Sequence, residues 1–287
     1  MNRLRELLDA PGLLRLQGVY DALSARLAIN AGFDALYMSG FAVSGTLLGQ
    51  PDIGLVTATE MIERASRISR IAGDHPVVAD GDNGYGGPSN VAHLVRAYEQ
   101  ANVACIQLED QVNPKRCGHM AGKEVVSRDD AVMKIRAAVD ARSSSDFLIM
   151  ARTDARATHD LTEALIRAEA FLAAGADVLF IEAPKSVEEM GRISDTFPEV
   201  HLVANMVEDG QTPWLEPAEL AELGFKIVLY PISALLANAR TLQNSFDDLY
   251  TNGKLNSATP RATLSEFNSL VGLDEIREME SRINSST

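Results

Sequence analysis

The chain has 287 residues, 46% of them hydrophobic and 23% charged, enough apolar material for one large domain or two ordinary ones. Its formal net charge of -14 argues against a nucleic-acid partner, and no basic run offsets it. An anionic substrate therefore has to be drawn in by local cations or a metal rather than by the overall field.

Two cysteines do not make a disulfide framework, which points to a reducing compartment. The amino-terminal MNRLRELLDAPGLLRLQ alternates charge with leucine and lacks the apolar core of a signal peptide. No stretch approaches a membrane span, so a cytoplasmic protein with no membrane partner is expected.

LQGVY (16–20) reads as a first strand. AGFDALYMSG (31–40) opens on Gly32, where the C′ position after a helix needs positive φ, and its apolar run ends at Ser39. PVVADGD supplies a third run, ending at Asp80. ANVACIQLED (101–110) repeats the same unit, with Asn102 in the glycine's place and Glu109 and Asp110 at the end. Ser127 before Arg128, Asp129 and Asp130 looks like a helix N-cap, and FLIMARTDA then ends at Arg152. Asp160 with Glu163 caps a helix with apolar spacing at Leu161, Leu165, Ala168 and Leu172. AGADVLFIEA (174–183) ends at Glu182, VHLVANM at Asn205, and LGFKIVLYP (223–231) at Tyr230 and Pro231. Short, nearly continuous apolar runs are those of strands buried on both faces. About eight strand–helix units predict an α/β fold, a (β/α)8 barrel, in one catalytic domain over 1–287. A doubly wound open sheet is the alternative, but GDNGYGGPSN lacks the dinucleotide-binding glycine spacing. The tail from about 255 reads as two extra helices with an exposed end.

In a barrel, all the strand ends converge on one face. Asp80, Asp82 and Glu109 would then crowd together, and three carboxylates in a small cavity require a cation. Hard oxygen donors suit Mg²⁺, or Mn²⁺. The plainer reading of D-x-D is a cap for a helix starting near Ser89. Arg152 could hold a substrate carboxylate bidentately, or simply pair with Asp154. Ser39 and Gly40 offer a hydroxyl and backbone N–H groups to an anion, or form an ordinary glycine turn. Cys117 lies between Lys115, Arg116, Gly118 and His119, where cations favour the thiolate, and Pro114 marks the segment as an exposed loop. Cys105, inside an apolar run, reads as core, and His75, His93, His159 and His201 as surface or structural.

K-R-C-G-H after an E-D strand end, D-x-D-x-G-Y-G, Ser39-Gly40, G-x-P-D at 49–52, ARTDA and ANM together resemble the isocitrate lyase and phosphoenolpyruvate mutase superfamily. The K-R-C-G-H element places the resemblance in its carbon–carbon lyase branch, near the 2,3-dimethylmalate lyases, petal death protein and methylisocitrate lyases. It implies a barrel whose last helix is swapped between subunits of a dimer of dimers, hence a homotetramer, and a mobile loop over about 113–124. It implies Mg²⁺ held by Asp80, with Asp52, Asp82 and Glu109 reached through water. Ser39, Gly40, Phe41, Arg152 and Asn205 would bind the 2-oxy-acid part of a small dicarboxylate, with Glu182 beside them. Leu229 and Pro231 would form an apolar wall. Cys117 would be the catalytic acid with Lys115, Arg116 and His119 as companions, while Tyr37 or a metal-bound water would take the substrate's hydroxyl proton. The expected reaction is cleavage of the carbon 2–carbon 3 bond of a 2-hydroxy dicarboxylate. Hydrolysis or decarboxylation of oxaloacetate at the same site is the alternative, and a non-catalytic barrel scaffold is the reading from another class.

Overall fold

Eight apolar runs, each too short for a helix and flanked by helix caps, become eight parallel strands in the computed structural model, which describes residues 3–118 and 122–285. They are β1 (Leu14–Val19), β2 (Ala35–Met38), β3 (Val77–Asp80), β4 (Cys105–Glu109), β5 (Leu148–Thr153), β6 (Val178–Ile181), β7 (His201–Asn205) and β8 (Ile227–Tyr230). Each pairs with the next, and the sheet closes because β1 pairs with β2 on one side (Leu16 opposite Ala35) and β8 on the other (Leu14 opposite Ile227). The chain is thus a (β/α)8 barrel, and the open-sheet alternative falls.

The two-residue period of a strand decides what fills the barrel. Leu14 and Leu16, Ala35 and Tyr37, Leu148 and Met150, Val178 and Phe180, and Ile227 and Leu229 share one buried core cluster. The helix Arg3–Asp9 closes the lower end of that cluster with Leu4 and Leu8, which are 1% and 2% exposed. Further along β2 to β8, the same inward parity delivers Ser39, Asp80, Glu109, Arg152, Glu182, Asn205 and Pro231 to the opposite, carboxyl-terminal mouth. The core pattern therefore aims the polar residues.

The repeated helix-to-strand turn forms as the sequence predicts, with φ of 92° at Gly32, 62° at Asn102, 100° at Gly175 and 91° at Gly224. Ser127 and Asp160 accept from the backbone N–H groups of Asp130 and Glu163 as N-caps.

The chain divides into two compact units, residues 1–233 with the barrel and residues 234–287. The second contains nearly all of the 20-residue helix Ser233–Asn252 and the helices Leu264–Leu270 and Leu273–Ser285, none of which has a buried side chain. A Thr263–Glu266 capping box starts the first of the two short helices. No helix among the described residues is long and apolar enough to cross a membrane.

Candidate active site

At the barrel mouth lies a cavity of about 250 Å³, lined by Tyr37, Ser39, Phe41, Asp52, Asp80, Glu109, Lys115, Arg116, Cys117, Gly118, Arg152, Glu182, Asn205, Leu229 and Pro231. Residues as far apart in sequence as 37 and 231 meet there. Of the expected site residues, Gly40 and Asp82 sit immediately behind this lining, and His119 lies outside the described residues.

Asp80, at the end of β3, is the most contested acid. Its Oδ2 accepts from Gly40 N (3.1 Å), and its Oδ1 accepts from Asp82 N (3.0 Å) and Gln107 Nε2 (3.3 Å). Burial and then the Asp82 charge push it up to about 6 despite Lys115 and Arg152. Burial likewise raises Glu109 well above the carboxylate range. Glu109 Oε1 is buried without a hydrogen-bond partner. The D-x-D pair does not cap the following helix. That helix starts at Pro88, and its capping contact is the Asn90 side chain accepting from Gly87 N. Asp82 instead adopts φ of 47°, a left-handed conformation that costs energy for a residue with a Cβ and is held by the turn around it.

Gly40 shows why no side chain fits there. A Cβ would lie 2.7 Å from Asp80 Oδ2. The same closeness lets its N–H donate to Asp80 Oδ2. Ser39 caps the helix Gly40–Leu48 by accepting from Ala42 N (3.3 Å), and that helix aims its amino terminus at the mouth.

Arg152 is held from three sides. Asp154 grips it with two bonds (Nε–Oδ2 3.0 Å, Nη2–Oδ1 3.1 Å), Glu109 and Glu182 stand 3.4 and 3.5 Å away, and its guanidinium lies 5.0 Å above the Phe180 ring. The pairing with Asp154 is present, and the guanidinium it orients lines the cavity. Burial alone would raise Asp154, but Arg152 and Lys123 hold it well below the usual range. Asn205 Nδ2 donates to both Glu182 oxygens (3.4 and 3.2 Å), while its Oδ1 is buried and unsatisfied.

The polar segment after β4 is less exposed than its composition predicts. Lys115 is 4% exposed, with Nζ 2.6 Å from both Asp52 Oδ1 and Asp82 Oδ1. Burial alone would lower its pKa, yet Asp82, Asp80 and Asp52 raise it well above the usual value. The reason is charge. A cluster of buried acids offers an ammonium more than water does, so the cation turns inward. The Gln111 side chain clamps the backbone of Arg116 at both N and O (2.9 Å each), and Cys117 N donates to Asp52 O (3.2 Å). Cys117 is half-buried against the cavity, whereas Cys105 is wholly buried in β4.

Tyr37 donates its hydroxyl to Gln107 Oε1 (2.9 Å), and burial, then Asp80, raises its pKa well above 10. It is a phenol that keeps its proton. Gln107, wholly buried at an inward position of β4, was missed in the sequence, although the parity of Cys105 and Glu109 marks it. Val207, Glu208, Asp209 and Gly210, also missed, close the side of the cavity beyond β7.

Among the described residues, no three acidic, histidine or cysteine side chains already converge as a metal cage. The buried, unsatisfied Glu109 oxygen and the neighbouring Asp80, Asp82 and Asp52 carboxylates are hard oxygen donors, a chemistry that suits a hard cation.

The phosphoenolpyruvate phosphomutase family model matches residues 4–250. The chain belongs to this family, the phosphoenolpyruvate mutase and isocitrate lyase superfamily. Within it, the chain is 49% identical over 283 residues to 2,3-dimethylmalate lyase of Eubacterium barkeri, covering 97% of this chain and 96% of that one. It is 42% identical over 285 residues to the petal death protein of Dianthus caryophyllus, covering 99% and 89%. The solved structure of oxaloacetate acetylhydrolase with the inhibitor 3,3-difluorooxalacetate superposes with a TM-score of 0.93 at 35% identity, covering 98% and 96%. The chain is an enzyme of the superfamily's lyase kind.

Proposed function

We propose that this lyase cleaves the carbon 2–carbon 3 bond of a 2-hydroxy dicarboxylate of the 2,3-dimethylmalate type, releasing pyruvate or a homologous 2-oxo acid and a carboxylate. The observation that carries the reading is the meeting of a half-buried thiol, an oriented guanidinium and a crowded acid cluster on one small cavity. The similarity to 2,3-dimethylmalate lyase over nearly the whole of both chains supports it.

Asp80 would hold Mg²⁺ or Mn²⁺, with Asp52, Asp82 and Glu109 around it, and the cation would supply charge stabilisation to the substrate's 2-oxygen. Arg152 pairs with the carboxylate on carbon 2, and Ser39 and Asn205 Oδ1 meet the polar groups beside it. Tyr37 donates its hydroxyl hydrogen bond to Gln107, so its oxygen is left to accept from the substrate hydroxyl and to orient it. The hydroxyl proton passes to a water molecule in the cavity, and as the carbon 2–carbon 3 bond breaks, carbon 2 becomes a carbonyl and the bond's electron pair moves to carbon 3. Cys117 then protonates carbon 3 as general acid, and Lys115 and Arg116 favour the thiolate that remains.

Phe41, Leu229 and Pro231 make the wall facing the leaving fragment apolar. Methyl groups suit it, while a third carboxylate would be poorly paired there and beside Glu208. The likeness to oxaloacetate acetylhydrolase supports a second reading, hydrolysis of oxaloacetate to oxalate and acetate. Cytoplasmic location and a homotetramer exchanging its last helices complete the proposal. The exposed Phe246, Tyr250, Leu264 and Ile283 of the second unit support the assembly.

A kcat/KM panel with Mg²⁺ tests this: 2,3-dimethylmalate, methylisocitrate, isocitrate and oxaloacetate, reading 2-oxo acid and oxalate. Preference for the branched malate is expected. Methylisocitrate as best substrate would show the wall misread, and oxalate as the main product would establish the hydrolase.

A further inference from the structure

Lys123 lies beyond the K-R-C-G-H element and has no role in the chemistry above. Its side chain is nevertheless only 4% exposed, and its ammonium makes two contacts that matter. One is to Asp154 Oδ1 at 2.9 Å, on the carboxylate whose other bonds come from Arg152 Nε and Nη2. The other is to the carbonyl oxygen of Gly118, the residue next to Cys117. Gly118 itself lies against the guanidinium, since a Cβ there would stand 2.3 Å from Arg152 Nη2. One ammonium therefore ties the peptide that carries the thiol to the carboxylate that aims the guanidinium.

From this geometry we infer that Lys123 is a positioning residue, which sets Cys117 and Arg152 relative to each other. The inference rests on the proposed roles of those two groups. Three features of the site give it force. Arg152 has Asp154, Glu109 and Glu182 within 3.5 Å, so its balance among them decides how much of the guanidinium faces a ligand. Lys123 shares the Asp154 charge. Without it, Asp154 pulls Arg152 more strongly and competes better with a substrate carboxylate. On the other side, the Gly118 carbonyl needs a donor, because it is brought against a site full of acids. An ammonium with three donors can serve both acceptors, which a neutral side chain of the same length cannot.

The experiment compares the full-length parent with Lys123→Met, Lys123→Arg and Cys117→Ser, with Mg²⁺ and 2,3-dimethylmalate. It also follows alkylation of Cys117 by iodoacetamide with and without oxalate, a two-carbon mimic of a 2-oxo acid, using buried Cys105 as internal control. Lys123→Met is expected to lower kcat/KM by about 10- to 100-fold through both KM and kcat, the scale of a misplaced reacting group. It is also expected to lose the protection that oxalate gives Cys117. Lys123→Arg is expected to restore most of both. If Lys123→Met does not fold, Lys123→Gln carries the same comparison, since it also removes the charge. Parent-like kcat/KM and parent-like protection in the neutral variant would overturn the inference. So would a lowered unfolding temperature with Lys123→Arg as impaired as the neutral variant, which marks a merely structural lysine. Cys117→Ser separates the two readings: full turnover by that variant removes the proposed chemistry, whereas its failure beside an unimpaired Lys123→Met removes only the role of Lys123.

Discussion

Asp80 accepts three hydrogen bonds and is still pushed up to about 6, because burial and the neighbouring acid outweigh the cations around it. An acid in that state gains most from a cation on its free lone pairs. Asp80→Ala is therefore expected to abolish turnover, and EDTA to abolish it reversibly in the parent, as followed by 2-oxo acid release. Cys117→Ser keeps the shape but replaces the thiol by a far weaker acid. Its kcat should fall by roughly 10² to 10⁴, the usual worth of a positioned general acid, with oxalate binding by calorimetry retained. Cys105→Ala should show only a stability loss, since that thiol is sealed in β4. These strand-end residues were legible because polar side chains terminating apolar runs have few places to go except a shared mouth. Gln107 was overlooked because an uncharged amide inside CIQLE draws no attention, although its position between two inward residues gives it away. Lys115 could not be placed from sequence, because its burial depends on Asp52 and Asp82 arriving from other elements.

At the scale of elements, the strands were readable to within a residue or two and the segment after β4 was not. Apolar runs and C′ glycines are local signals, whereas the described residues after β4, 111–118 and 122–126, are held by distant partners. Gln111 pairs with Val125 in an isolated antiparallel bridge, and Val126 N donates to Asp110 O (2.8 Å). Arg167 Nη1, on the helix Leu161–Ala173, donates to Asp110 Oδ2 (3.1 Å) and Val126 O (2.9 Å). Asp110 in turn accepts from Thr153 Oγ1 (2.7 Å) and Asp154 N (2.9 Å). This buried network joins the base of the segment to the end of β5. Removing Arg167 strips buried Asp110 of its counter-charge and leaves it the hydrogen bonds from Thr153 and Asp154, so Arg167→Ala should cost about 3 to 5 kcal/mol in chemical denaturation. A different failure is expected from Gly118→Ala. Its Cβ would meet Arg152 Nη2 at 2.3 Å, so activity should drop sharply while the unfolding temperature changes little. A parent-like kcat/KM for that variant would show that the segment does not lie over Arg152 during turnover.

For the whole molecule, the barrel has its own core and plug, but the unit of residues 234–287 has helices without a buried side chain. Periodicity in the tail revealed helices and not what they cover, because an apolar face reads the same whether its partner belongs to the same chain or another. Tyr250 at 95% exposed and Leu264 at 78% favour association, so light scattering should give the mass of an assembly, the proposed tetramer, rather than a monomer. The central claim concerns the bond broken in the barrel mouth and the thiol that finishes the reaction, and turnover of 2,3-dimethylmalate in D₂O tests it most directly. Nuclear magnetic resonance should show pyruvate and propionate in equal amounts, the propionate carrying one deuterium at carbon 2 in a single configuration, because Cys117 delivers it from one face. Racemic deuteration would mean that solvent and not the thiol protonates the fragment, and the absence of pyruvate would contradict cleavage of that bond.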